Sequence, residues 1–132
     1  MDKKYKGKEV YEEQMNQLRG NYKAWKERKR ISGTPFFMVY TDFKDTHLKE
    51  MSGGSLKLYV YLGFHANNFT GESWHSSDTI ADYFGVDVRT VKKWFAELED
   101  RNMVTRIQTG YKRVANTFLL PYGEEKEGKA ND

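Results

Sequence analysis

The chain contains no cysteine and only two prolines among its 132 residues. Without cysteine, a disulfide-stapled fold, a thiol nucleophile and a metal site built from thiolates are all excluded. No apolar run approaches the roughly 18 residues that cross a bilayer, and the N-terminal MDKKYKGKEV lacks the apolar segment of a secretion signal. We therefore expect a cytoplasmic protein that makes no contact with membranes.

Hydrophobic residues are also scarce, at 38% of the chain, although aromatic residues reach 15%. A chain of this length accommodates one ordinary domain with a terminal extension, and it is too short for two full domains. We therefore expect a single core that is built largely from Phe, Tyr and Trp side chains.

The net charge of +3 conceals a strong asymmetry along the chain. Residues 1–31 carry ten basic and five acidic side chains, and residues 89–123 carry seven basic and three acidic ones. The segment between them is acidic, because residues 51–88 contain one basic and four acidic side chains. Two basic segments of this kind favour a polyanionic partner, a conclusion that the net charge alone does not support.

Residues 1–31 are predicted to form one basic amphipathic helix. Five apolar residues recur in this segment at alternating spacings of four and three, which places them on one helical face: Tyr11, Met15, Leu18, Tyr22 and Trp25. This apolar stripe requires a partner, which is either the body of the domain or a second copy of the chain, so it is the candidate surface for a homodimer. Gly20 costs about 1 kcal/mol relative to Ala inside a helix and permits a bend.

Residues 32–123 are predicted to form one domain of helices and short strands, and the polar residues 124–132 a disordered tail. The expected elements, in chain order, are a strand over Phe36–Tyr40, a short helix reaching Met51, a buried helix from Leu56 to about Asn67, a very short strand within Glu72–His75, two helices between residues 77 and 101, and two strands over residues 103–108 and 114–120. Trp74 and Trp94 are both expected to contribute to the core.

Polar residues at the expected helix ends predict where these helices begin and stop. Ser52 or Ser55 can cap the buried helix, and Ser77 and Asp87 are the predicted N-caps of the next two helices. Asn102 follows the last helix as a stop residue that tolerates a left-handed backbone.

Residues 81–91 carry the most informative pattern. Two helices that cross closely need a small residue inside the first helix, a turn residue that tolerates positive φ, and branched residues that face inward from the second helix. Ala81, Gly85, Val86 and Val91 occupy these places, at offsets of 0, 4, 5 and 10 residues. The pattern indicates a helix-turn-helix, and the hairpin predicted after it agrees with this interpretation.

The runs WHSSDTIADYFGVDVRTV (residues 74–91) and ELEDRNMV (residues 97–104) closely resemble winged helix-turn-helix domains. They look most similar to those of Gram-positive plasmid and phage replication initiators and related small regulators. The resemblance covers about residues 36–122. It implies an α+β fold with a three-helix core and a two-stranded β wing, preceded in this chain by the N-terminal basic helix.

The resemblance also implies binding to double-stranded DNA, with the second helix of the pair in the major groove. Arg89 is the best candidate for base reading because a guanidinium can engage guanine O6 and N7 together. Lys92 and Lys93 can reach phosphate or guanine, while Ser77 and Thr90 lie near helix starts, where hydroxyls hold phosphate. The other candidate DNA contacts are Val88 on the same outward face, Arg106, and Tyr111, Lys112 and Arg113 at the tip of the wing.

No pattern in the sequence indicates an enzyme, a cofactor or a metal site. The three histidines are widely spaced, and Gly53-Gly54 lacks the Lys-Ser/Thr that follows in a phosphate-binding loop. The leading hypothesis is a sequence-specific double-stranded DNA-binding protein, serving as a regulator or as a replication or transfer accessory factor of a bacterial plasmid, phage or conjugative element. The alternative is a winged-helix interaction module that docks a relaxase, helicase or polymerase.

Overall fold

A computed structural model describes residues 2–108 and 115–123, and the side chains of residues 2–6 are not described. Contacts between residues separate the chain into two units, one ending at Phe36 and the other beginning at Phe37. The predicted tail over residues 124–132 lies outside the described residues.

The first unit contains one long helix, α1 (Asp2–Ser32), over the residues for which the sequence predicts a helix. The helix continues through Gly20 without interruption. It ends where Gly33 adopts a φ of +69° and the Thr34 amide donates to the Lys29 carbonyl at 3.1 Å. Each side chain of the apolar stripe is exposed, with exposed fractions between 43% and 65%.

The described residues of the second unit form four α-helices, one short 3-10 helix and three short strands. The elements are α2 (Phe43–Thr46), a 3-10 turn (Leu48–Glu50), α3 (Gly53–His65), β1 (Glu72–Ser73), α4 (Ser77–Phe84), α5 (Val88–Asp100), β2 (Val104–Ile107) and β3 (Asn116–Leu119). Their order and composition confirm the predicted α+β class.

The core of this unit lies where α3, α4 and α5 meet the sheet. Seven of its side chains are at most 1% exposed: Leu58, Leu62, Ile80, Val91, Leu98, Met103 and Val104. Aromatic side chains extend this core on one side, because Phe43 stacks on Tyr59 with ring centroids 5.2 Å apart and meets Tyr122 edge-on at 5.3 Å. Trp94 packs partly buried against the same core, as the sequence predicts.

The strands form one antiparallel sheet in the order β1-β3-β2. β2 and β3 are the predicted hairpin, in which Thr105 lies opposite Phe118. β1 adds a third strand to the predicted two-stranded wing, because Glu72 and Ser73 pair with Phe118 and Thr117. The residues that join β2 to β3, 109–114, lie outside the described residues.

Three further predictions about the fold are wrong. Phe36–Tyr40 belongs to none of the described strands, and the Tyr40 amide donates to the Tyr122 hydroxyl instead of to a strand partner. Ser76, not Ser77, is the N-cap of α4, because its hydroxyl accepts from the Thr79 amide at 3.1 Å. Trp74 is 55% exposed rather than part of the core, since it follows β1 at the point where the chain leaves the sheet.

Candidate nucleic-acid interface

A tight turn joins α4 to α5 and fixes how the two helices cross. Gly85 adopts a left-handed conformation, with φ +68° and ψ +37°, which a side chain at Cβ would disfavour. The Val86 amide donates to the Ala81 carbonyl at 3.1 Å, which closes the end of α4. Asp87 then begins α5, because its Oδ1 accepts from the Arg89 amide at 2.8 Å. The predicted roles of Gly85 and Asp87 are both confirmed.

α5 presents opposite faces to the core and to solvent. Val91, Phe95 and Leu98 are at most 3% exposed, as the sequence predicts for the inward face. The exposed residues on the other side include Ala96 and three cations, Arg89, Lys92 and Lys93. The first half of the helix therefore carries a positive, solvent-facing surface of the kind that enters a DNA groove.

Arg89 forms an ion pair with Asp87, two residues earlier. Its Nε donates to Asp87 Oδ1 at 3.2 Å and its Nη2 donates to Oδ2 at 3.4 Å. These hydrogen bonds hold the pKa of the Asp87 carboxyl below its ordinary value, so the carboxylate stays ionised at neutral pH. The sequence predicts Asp87 only as a cap. An acidic residue followed two positions later by a basic one, at the start of a helix, is the sequence signal that could have indicated the ion pair with Arg89.

Arg106 lies on β2, and its side chain contacts other residues of the domain. Its Nε donates to Thr117 Oγ1 at 3.2 Å, its Nη1 donates to Ser77 Oγ at 3.3 Å, and its guanidinium carbon lies 3.9 Å from the centroid of the Phe95 ring. Burial lowers the pKa of the guanidinium, which nonetheless remains charged at neutral pH. The structure thus joins two of the predicted phosphate contacts to each other.

A family model described as a helix-turn-helix domain matches residues 49–104. The chain contains a helix-turn-helix domain. The matched residues include α3, α4 and α5 and end at the first residue of β2. Together with the three-stranded antiparallel sheet, the helix-turn-helix domain has a winged-helix-like α+β fold. A search of curated proteins and a search of solved structures each found no significant match.

The helix-turn-helix domain brings only some of the predicted DNA contacts onto one surface. Arg89, Lys92 and Lys93 share the exposed side of α5, whereas Val88 and Thr90 are half-buried, and Val88 packs against the core. Ser77 is half-buried at the first turn of α4, and its hydroxyl can still donate while it accepts from Arg106. The remaining predicted contacts, Tyr111, Lys112 and Arg113, lie outside the described residues.

The charge along α5 of the helix-turn-helix domain changes sign halfway. Its last turns carry Glu97, Glu99 and Asp100, in contrast to the basic first half. Glu97 is engaged by the neighbouring helix, because the amide and hydroxyl of Ser52 donate to its carboxylate at 2.8 and 2.7 Å. Only the first half of α5 is therefore suited to a polyanion.

Two further features of the described residues concern other classes of function. Within residues 2–108 and 115–123, no three His, Asp or Glu side chains are grouped so that they could hold a metal ion. None of the helices in this part of the chain is both long enough and apolar enough to span a membrane.

Proposed function

We propose that the protein is a non-enzymatic, sequence-specific double-stranded DNA-binding protein that places the first half of α5 in the major groove. The observation that carries the proposal is the exposed row of Arg89, Lys92 and Lys93, held opposite a fully buried face of the same helix. A guanidinium reads guanine through two parallel hydrogen bonds, and lysines neutralise phosphates on either side. The match to a helix-turn-helix domain supports this arrangement.

Other contacts would extend this interface. The Ser77 and Thr90 hydroxyls lie at the first turns of α4 and α5, where phosphate is favoured by the helix N-termini. Tyr111, Lys112 and Arg113 are proposed to meet the flanking backbone or the minor groove. The basic helix α1 would add an auxiliary contact with the DNA backbone, because its ten basic side chains outnumber its five acidic ones.

The resemblance to replication initiators and small regulators suggests the biological setting. The protein would act in the bacterial cytoplasm as a regulator, or as a replication or transfer accessory factor, of a plasmid, phage or conjugative element. The exposed stripe of Tyr11, Met15, Leu18, Tyr22 and Trp25 is proposed as the surface of a homodimer. A two-fold symmetric dimer would require paired half-sites in the DNA.

The test is selection of bound sites from a pool of randomised duplexes, followed by titration of the selected duplex. We expect Arg89→Ala to weaken binding to the selected site by about 1–3 kcal/mol and to relax selection at one guanine. Lys92→Ala should weaken binding to all duplexes similarly and lower the salt dependence by about one ion. Lys44→Ala, which removes an exposed lysine of α2, is the matched control and should leave binding unchanged.

The proposal fails if the purified chain binds no duplex at about 50 mM salt, or binds it without salt dependence. Such a result, combined with capture of a purified relaxase, helicase or polymerase, would favour the interaction-module alternative. Symmetry within the selected sites, or its absence, decides whether the protein binds as a dimer.

A further inference from the structure

The ion pair between Asp87 and Arg89 occupies one edge of the guanidinium, the edge formed by Nε and Nη2, and leaves the end of the group available for other contacts. Nε and Nη2 donate to the two oxygens of Asp87, so the carboxylate occupies the side of the planar group. A guanidinium has five N–H donors in a fixed fork, and its far end, formed by the two terminal nitrogens, can still donate in parallel. This end matches the spacing of guanine O6 and N7. The inference drawn from this geometry rests on the proposed function.

Capping alone does not require an aspartate at this position. A cap needs one side-chain oxygen, which Ser, Thr or Asn supplies as well as Asp does. Asp87 uses Oδ1 for both the Arg89 amide and Nε, and it uses Oδ2 for Nη2 alone. Although a carboxylate favours the helix N-terminus, it also adds a negative charge to the surface that would face phosphates. The second oxygen therefore serves the guanidinium rather than the helix.

The pair adds little to the stability of the free protein. The side chain of Arg89 is 87% exposed and that of Asp87 is 54% exposed. Ion pairs that are this exposed to solvent add little to the free energy of unfolding. In a complex with DNA the pair would restrict the Arg89 rotamers, which would lower the entropy lost on ordering a long side chain against a base. Removal of water in the groove would strengthen the same hydrogen bonds.

We propose that Asp87 is a specificity-determining positioning residue, which holds the guanidinium of Arg89 side-on so that its free end is directed at a guanine in the major groove. Asp87 acts through Arg89 and need not touch the DNA. Asp87 thus both begins α5 and orients the arginine that would contact the base.

The experiment compares the full chain with Asp87→Asn and Asp87→Ser, both of which retain a capping oxygen. Each protein is used to select sites from the same randomised duplex pool, and its binding to an unselected random-sequence duplex is also titrated. We expect preference for the guanine read by Arg89 to fall about five- to tenfold in both variants. Affinity for the random duplex should rise, by about twofold, because a negative charge is lost.

A double-mutant cycle separates positioning from direct contact. In the Arg89→Ala background, Asp87→Asn should cause no further loss of base preference, since there is no guanidinium left to orient. A change at a different base that persists in this background would overturn the proposal and assign Asp87 a contact of its own, such as with a cytosine amino group.

A measurement without DNA tests the geometry separately. In ¹⁵N-edited spectra of the free protein, the Arg89 Nε proton should exchange more slowly in the wild type than in Asp87→Ser. Equal exchange in the two proteins, or equal guanine preference in all three, would overturn the positioning role. Failure of the wild type to bind any duplex would instead contradict the proposed function, so the two failures are distinguishable.

Discussion

Arg106 connects three parts of the domain through one side chain. It contacts Phe95 of α5, Ser77 of α4 and Thr117 of β3, and Thr117 is 1% exposed. Charge-assisted hydrogen bonds and a guanidinium over an aromatic ring each add stability when they are partly desolvated. At the scale of the residue, the sequence identifies Arg106 as a cation on a predicted strand, and only the fold shows that its Nε and Nη1 donate to Thr117 and Ser77.

Arg106→Ala should lower the free energy of unfolding by about 2 kcal/mol, because it removes two hydrogen bonds and leaves the buried Thr117 hydroxyl without this donor. Urea denaturation measures this loss, and Arg106→Lys should recover part of it. Unchanged stability with weaker DNA binding would instead favour the phosphate contact that the sequence suggests.

At the scale of the element, the ends of α4 and α5 depend on capping interactions that local sequence encodes. Gly85, Asp87 and the left-handed Asn102, with φ +59°, lie where the sequence places them. The cap of α4 is displaced by one residue because Ser76 and Ser77 are adjacent and equally suited to capping. In the structure the hydroxyl of Ser76 caps the helix, whereas the hydroxyl of Ser77 accepts from Arg106 on β2.

Gly85→Ala should cost about 1 kcal/mol of unfolding free energy, since a left-handed conformation is unfavourable for a residue with a Cβ. A Cβ at this position would meet no atom within 4 Å, so the cost comes from the backbone conformation alone. Gly85→Asn should cost less because Asn tolerates this conformation better. Equal stability of the glycine and alanine proteins in thermal denaturation would contradict this prediction.

At the scale of the whole domain, Glu97 ties α5 to the start of α3. The amide and hydroxyl of Ser52 both donate to its carboxylate, and Ser52 is itself the N-cap of α3. The hydrogen bond from the Ser52 amide has the larger effect and the one from its hydroxyl the smaller, and together they hold the pKa of Glu97 below its ordinary 4.5. The folded state thus favours the ionised form, and the resulting stability is fully present above the ordinary pKa.

Stability should fall as the pH drops below about 4.5 through the lowered pKa of Glu97, because the native carboxylate must then be protonated. Glu97→Gln should be less stable than the wild type at neutral pH and should lose less stability on acidification. Burial lowers the pKa values of His47 and His75, which also reduces stability on acidification, but equally in both proteins. The difference between the two profiles of unfolding free energy against pH therefore isolates Glu97; parallel profiles would contradict its role.

The sequence by itself determined the features that local chemistry controls. Helical periodicity defines the buried face of α5, and a glycine that tolerates positive φ defines the turn before it. The exposed positions of Arg89, Lys92 and Lys93 follow from the same periodicity. The asymmetry of charge that indicates a polyanionic partner is also a property of the sequence alone.

Only the tertiary structure decided the pairings between distant residues. Phe36–Tyr40 has the composition of a strand, but a strand requires a partner ladder, and Tyr40 bonds to Tyr122 instead. Arg106 and Ser77 look like two separate DNA contacts in the sequence, although the fold joins them. The physical reason is that hydrogen bonds between elements depend on where the backbone places each donor and acceptor, and residue type specifies only which of them are available.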